Sequence, residues 1–464
     1  LASAISGSFP ARREPGRGMN ADEPAPYQVI VTEIMADPHP VRGLPDAEYI
    51  ELYNRGESGI SLAGCRLVLG RTEKMLPHIN LDPKEYLIIC DAEDESLFIA
   101  MGKTAAIGKL PAVVNTGQAI TLKTGSGKII FSVEFSDRWF QTVDKADGGW
   151  SLEMIDTENF CGRDNNWCES TNTRGGTPGT MNSVSGSCPD RQKPVLLRAS
   201  LNSDSTVLLQ FNESMDSISL CNPAFYSANR GLLQPVRVDP VEPAYTSVSL
   251  EFGPPLNRGI IYTITTMNNL KDCAGNPIAS NAYASFGIPE SPDSLDVILN
   301  EVLFDVPSSV SEFIELYNRS DKIIDLSEFS IALFNQLTDS VLRKTPLKGS
   351  SFQLLPDRYA AITRWKDHLP GEKTRPDPSN VLEQPLLFIL PDAEGEIALL
   401  GDSSSIIDKF HYSGQMHSEF FGNTEGISLE RVSASQATNE AGNWCSAASA
   451  SGYSTPGYKN SQYI

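Results

Sequence analysis

The chain lacks long apolar runs. Nowhere in its 464 residues is there a stretch near the ~20 apolar residues that a membrane-spanning helix needs. It lacks a basic excess as well: 37 Lys and Arg stand against 58 Asp and Glu, a formal charge of −21. A surface of that sign repels phosphate backbones and anionic headgroups, so no nucleic-acid partner is expected. Histidine is scarce. His39, His78, His368, His411 and His417 form no H-E-x-x-H pair, and no G-x-S-x-G elbow occurs. The eight cysteines are dispersed, with no C-x-x-C. That spacing argues against a zinc site and for disulfides, hence for an extracytoplasmic setting. Only 20% of residues are charged while 40% are hydrophobic, which excludes a disordered chain.

What the chain does have is the same text twice. Ile30-Val-Thr-Glu33-Ile-Met-Ala-Asp37 and Glu48-Tyr-Ile-Glu51-Leu-Tyr-Asn54-Arg55 return as Ile298-Leu-Asn-Glu301-Val-Leu-Phe-Asp305 and Glu312-Phe-Ile-Glu315-Leu-Tyr-Asn318-Arg319. Gly149-Trp-Ser-Leu-Glu153 returns as Gly426-Ile-Ser-Leu-Glu430, Trp167-Cys168 as Trp444-Cys445, and Thr177-Pro-Gly179 as Thr455-Pro-Gly457. Five blocks in one order imply one domain type present twice.

The organisation follows. Residues 1–27, rich in Pro, Arg and Gly, read as a tail or linker; 28–183 form the first copy. A boundary at 184–191 leads into a middle domain at 192–288. A short linker at 289–294 precedes the second copy at 295–460. The patterning within each has period two: Ile50 and Leu52 share one face, Tyr49, Glu51 and Tyr53 the other. Thr206–Phe211, Ser247–Phe252 and Ile260–Thr265 read as strands of the middle domain. The expected fold class is all-β, three tandem Ig-like β-sandwiches.

The repeated blocks resemble the lamin tail domain in its bacterial, secreted form. The shared features are the N/T-E-I/V start, the E-x-x-E-L-Y-N strand, the G-x-S-L-E block, the Trp and the closing T-P-G-x-x-N. The second copy keeps Arg431 where the first has Met154. The middle segment resembles bacterial Ig-like modules through Phe211-Asn-Glu-Ser-Met-Asp216 and Asp272-Cys-Ala-Gly-Asn276. The resemblance implies an Ig-like β-fold and an extracellular or cell-envelope location; it does not imply a reaction. It also implies an association with secreted nucleases and phosphatases, so a catalytic domain upstream of Leu1 is the rival reading, and a carbohydrate-binding module a third. Cys221 and Cys273 both fall in the middle segment and are expected to bond. Cys161 or Cys168 is a partner for Cys188, with the choice open.

Four carboxylates stand out. Glu33 with Glu51, and Glu301 with Glu315, are placed to meet across adjacent strands. Such pairs do acid–base work, hold a cation, or serve the fold by accepting hydrogen bonds from loop N–H groups or pairing with a nearby Lys or Arg. Their presence in both copies favours the last. Lys123-Thr-Gly-Ser-Gly-Lys128 lacks the first Gly and the Ser/Thr of a phosphate loop and reads as a hairpin turn, as does the stretch after Leu400. Acidic loops at 91–95, 144–147 and 156–166 leave Ca²⁺ as the one cofactor candidate, without EF-hand spacing. Trp167 and Trp444 are expected in the core. The reading is a non-catalytic exported protein, a fixed row of sandwiches serving as spacer or adhesion module toward a protein or glycan ligand.

Overall fold

The computed structural model describes residues 23–162, 164–349, 351–370, 375–401 and 404–463. Most of the expected 1–27 tail lies outside these residues, as does part of the turn expected after Leu400. The chain forms two compact units, one ending at Asp190 and the other beginning at Arg191. No helix among the described residues is long and apolar enough to cross a membrane.

The first unit packs two sheets. The larger has the strand order Trp167–Glu169, Leu152–Met154, Val29–Met35, Tyr49–Asn54, Tyr86–Cys90, Thr104–Ala106. Only its last pair is parallel. The smaller runs Ile129–Ser136, Gly117–Lys123, Arg66–Leu69, Thr72–Met75. Alternation decides what lies between them. Val31, Ile34, Ile50, Leu52 and Leu152 meet Leu67, Leu122, Phe131 and Val133 in one apolar core.

In the second unit that strand order recurs. The large sheet runs Trp444–Ser446, Leu429–Arg431, Val297–Leu303, Phe313–Asn318, Tyr359–Thr363, Val381–Glu383, again with one parallel pair at its end. Its partner sheet runs Ile406–Ser413, Glu394–Leu400, Ser330–Asn335, Ser340–Pro346. The same unit holds another sandwich. A four-stranded sheet (Leu196–Ser203, Thr206–Phe211, Ser247–Glu251, Arg237–Pro240) covers a three-stranded one (Tyr226–Ala228, Tyr262–Thr266, Tyr283–Phe286) around a core of its own. The protein is all-β; its few helices are single turns.

Two local devices recur. The register of the first strand slips between Val31 and Glu33, and between Leu299 and Glu301. This β-bulge re-aims the following residues. Asn54 and Asn318 end the next strand and donate to carbonyls of a neighbouring turn, Leu81 and Leu354 among them, which closes the turn on the sheet.

Sulfur departs from expectation. Cys221 is a free, exposed thiol, while Cys273 is disulfide-bonded, as is Cys161. Cys273 donates its N–H to Ser214, whereas Cys221 lies beyond the helical turn Ser217–Leu220 that follows. Membership of one sandwich did not place the two side by side. Cys168 and Cys188 are free too, so neither expected pairing to Cys188 forms.

Candidate functional site

Each large sheet carries a row of three glutamates on the face turned away from its core. Glu33 is registered against Glu153 on one side and Glu51 on the other. Glu301 is registered against Glu430 and Glu315 in the same way. All six are 0% exposed. Sequence reading found Glu33, Glu51, Glu301 and Glu315 as pairs. It missed Glu153 and Glu430, although the shared S-L-E block held the signal.

The cover over each row is the Thr-Pro-Gly segment. It belongs to no strand. It lies in the irregular chain after Trp167–Glu169 and after Trp444–Ser446, folded back over the sheet. In the first unit Thr177 N donates to Glu33 Oε1 at 2.8 Å and Gly179 N to Glu51 Oε2 at 2.6 Å. Thr177 Oγ1 and Ser183 Oγ donate to the two oxygens of Glu153. Tyr49 Oη and Ser151 Oγ also donate to Glu33 Oε1, both at 2.6 Å, and Thr32 Oγ1 donates to Glu51. The second unit repeats the plan. Thr455 N donates to Glu301 and Gly457 N to Glu315, Ser428 Oγ to Glu301, Asn300 Nδ2 to Glu315, and Ser461 Oγ to Glu430. Asn182 and Asn460 fasten the far end of the loop, each donating to two strand carbonyls. Gly179 and Gly457 both sit at φ +83°, which lets the loop turn its N–H groups down.

Electrostatics follow from burial. Removal from water, then the Glu153 charge, push the Glu33 carboxyl up to about 7. Burial and Glu33 hold Glu51 well above the usual range. Burial and Glu430 push Glu301 up to about 8, and burial with Glu301 raises Glu315. Among the described residues none of the six is ion-paired. The first Glu of each E-x-x-E acts elsewhere. Glu48 accepts Val113 N at 3.0 Å and Glu312 accepts Leu390 N at 2.9 Å, each tying a distant loop to the sheet.

The chemistry open to these glutamates is therefore loop retention. A carboxylate catalyst has to reach a substrate proton, and these reach only their own chain. Other candidates resolve similarly. Thr124 and Lys128 close a hairpin turn by a backbone bond at 2.8 Å. Asp91 accepts Glu93 N and Leu110 N, and Asp156 accepts Glu158 N and Cys188 N, so these acidic loops cap themselves. Trp167 and Trp444 are buried in the two cores, Trp444 stacked on Phe410 at 3.7 Å.

The structure brings together one pair that sequence reasoning missed. His417 Nδ1 lies 3.0 Å from Ser446 Oγ. A serine beside an imidazole is a nucleophile–base pair, which further needs a third group to orient the base. Both residues are buried, however, and Nε2 of His417 is buried with no hydrogen-bond partner to orient the ring. Burial lowers the imidazole to about 4, so it is neutral at ordinary pH. The pair packs beside Phe304 rather than opening to a cleft.

Residues 22–137 match the family model of the Lamin Tail Domain. No curated protein gives a match. Among solved structures, the N-terminal part of the bacterial S-layer protein SbsC is 16% identical over 37% of this chain, with a TM-score of 0.20. The chain spans 41% of the length of that structure. A DUF4876 family protein from Bacteroides thetaiotaomicron is 12% identical over 41% of this chain and 78% of its own, with a TM-score of 0.22. A structure of native alpha-2-macroglobulin from Escherichia coli spanning domains MG0-NIE-MG1 is 11% identical over 48% of this chain and 88% of that one, with a TM-score of 0.18.

Proposed function

We propose that this chain is a non-catalytic, extracytoplasmic spacer or adhesion module. It consists of a lamin tail-like domain at 28–183, an Ig-like connector at 192–288 and a second lamin tail-like domain at 295–460. The observation that carries the reading is the fate of the shared carboxylates. The groups best suited by type and pairing to do chemistry are sealed under their own loops, in the same way in both large sandwiches. The disulfide-bonded Cys161 and Cys273 support an oxidising compartment.

Spacing requires that adjoining domains not swing freely, and the second unit has the means. Arg198, on the first strand of the smaller sandwich, donates to the carbonyl of Val381 at 2.9 Å and stacks over Phe352 at 4.5 Å. Gln353 exchanges two hydrogen bonds with the backbone of Gly287. Lys322 holds Asp293 of the connecting segment and Asp296 just beyond it. The junction is thus clamped at three places. The ligand class this reading favours is an extracellular protein or glycan.

The test is a screen of the purified chain against phosphoester, glycoside and peptide substrates, alongside Glu51→Gln and Glu315→Gln. The expected result is no turnover. Turnover that either substitution abolishes would overturn the reading.

A further inference from the structure

The second glutamate row has fewer protons than its contacts need if all its carboxyls are ionised. Thr455 Oγ1 lies 2.9 Å from Glu301 Oε2 and 2.9 Å from Glu430 Oε1. A threonine hydroxyl has one proton to donate. With both carboxyls ionised, one of these contacts would face a lone pair with an anionic oxygen in a site closed to water. Among the described residues no cation stands nearby to offset that cost.

We propose that the Glu301–Thr455–Glu430 bridge stores one proton at neutral pH, and that losing it releases the Tyr453–Asn460 segment from the sheet. In the closed state Glu301 Oε2–H donates to Thr455 Oγ1, and Thr455 donates to Glu430. In the open state the proton has gone to solvent and two carboxylates repel across the bridge. The titratable groups facing the site are Glu315 on the adjacent strand, Tyr359 on the strand beyond it and Cys445 on the strand beside Glu430. None supplies a positive charge. Arg431, next to Glu430, points to the opposite face and is engaged with Asp408. Burial raises the Glu301 carboxyl in the direction this proton count requires.

The first unit is a built-in control. There Thr177 Oγ1 donates to Glu153 alone, so no hydroxyl is shared between two carboxyls. Glu33 gathers its donors on Oε1 and leaves Oε2 buried without a partner.

The test is amide hydrogen exchange of the whole chain, corrected for intrinsic rates, followed on peptides covering 453–463 from about pH 6 to about pH 9. Protection should fall about tenfold per pH unit once the shared proton is lost. Glu301→Gln should keep the segment protected throughout, because an amide Nε2 donates to Thr455 as the protonated acid does. The infrared difference spectrum of the wild-type chain minus Glu301→Gln at neutral pH should show a carboxylic-acid carbonyl band. Flat wild-type protection, equal loss in the variant, a variant that cannot fold or the lack of that band would each overturn the proposal.

Discussion

Gly176 and Tyr49 form a pair that the second sandwich replaces with Ser454 and Phe313. A Cβ on Gly176 would come to 2.5 Å from Glu33 Oε1 and 2.6 Å from Tyr49 Oη. Where the ring has no hydroxyl, as with Phe313, the chain carries a serine at the matching place. Gly176→Ser is expected to destabilise the protein by about 1–3 kcal/mol, with Tyr49→Phe recovering part of the loss. A double-mutant cycle by denaturant unfolding that shows no coupling would refute this. A second exchange is larger. Arg431 and Asp408 are a buried ion pair, and Met154 and Phe131 occupy the matching places in the first core. Arg431 also donates to the carbonyls of Leu299 and Gln436. Arg431→Met alone should cost about 3–5 kcal/mol, since it strands Asp408 and those carbonyls. Adding Asp408→Phe should return part of that loss, because the pair then matches the apolar solution already present. Denaturant midpoints of the two variants decide it. Cys221 is exposed whereas Cys65 and Cys90 are buried. A thiol reagent on the native chain should label Cys221 and reach the other two only after unfolding, as peptide mapping would show.

At the scale of elements, the sheets are ordinary and their covers are not. Strands such as Val29–Met35 and Val297–Leu303 are buried along their whole length, although only every second residue faces the sandwich core. The other face is buried because the loop after the last strand returns over it. Asn460 holds that loop by donating to Asn300 O at 3.0 Å and Arg431 O at 2.9 Å. Those carbonyls belong to strands on either side of the loop, so one side chain ties three segments. Asn460→Ala leaves both buried carbonyls without this donor and should cost about 1–3 kcal/mol. It should also speed exchange in 453–463 while leaving the first unit unchanged. Unchanged exchange in 453–463 would show that the loop is held by its glutamate contacts alone.

For the whole molecule, the buried glutamates set how stability depends on pH. A carboxyl raised on folding binds its proton more tightly in the folded chain than in the unfolded one. Its contribution is therefore complete below the ordinary value of about 4.5 and is lost as pH rises through about 7 for Glu33 and about 8 for Glu301. Glu85 and Glu169, held below the usual range, act in the opposite sense and lose their contribution only in acid. Thermal midpoints should thus fall from about pH 5 to about pH 9. Each raised carboxyl gives up on the order of 1 kcal/mol for every pH unit between its unfolded and folded titration points. A flat profile would mean that the glutamate rows are ionised in the folded state at no cost. The amino-acid sequence by itself determined the all-β class and the recurrence of one block order, because alternation and turn residues act locally and a duplicated text needs no third dimension to be seen. It also marked Glu33, Glu51, Glu301 and Glu315 as belonging together, since register follows from the pattern of two neighbouring strands. The third glutamate of each row, the loop that covers it, the bonding of Cys273 and the exchange of Arg431–Asp408 for Met154–Phe131 were decided by tertiary structure. Each depends on residues far apart in the chain being brought to one place, and on water being shut out there. Local sequence fixes neither.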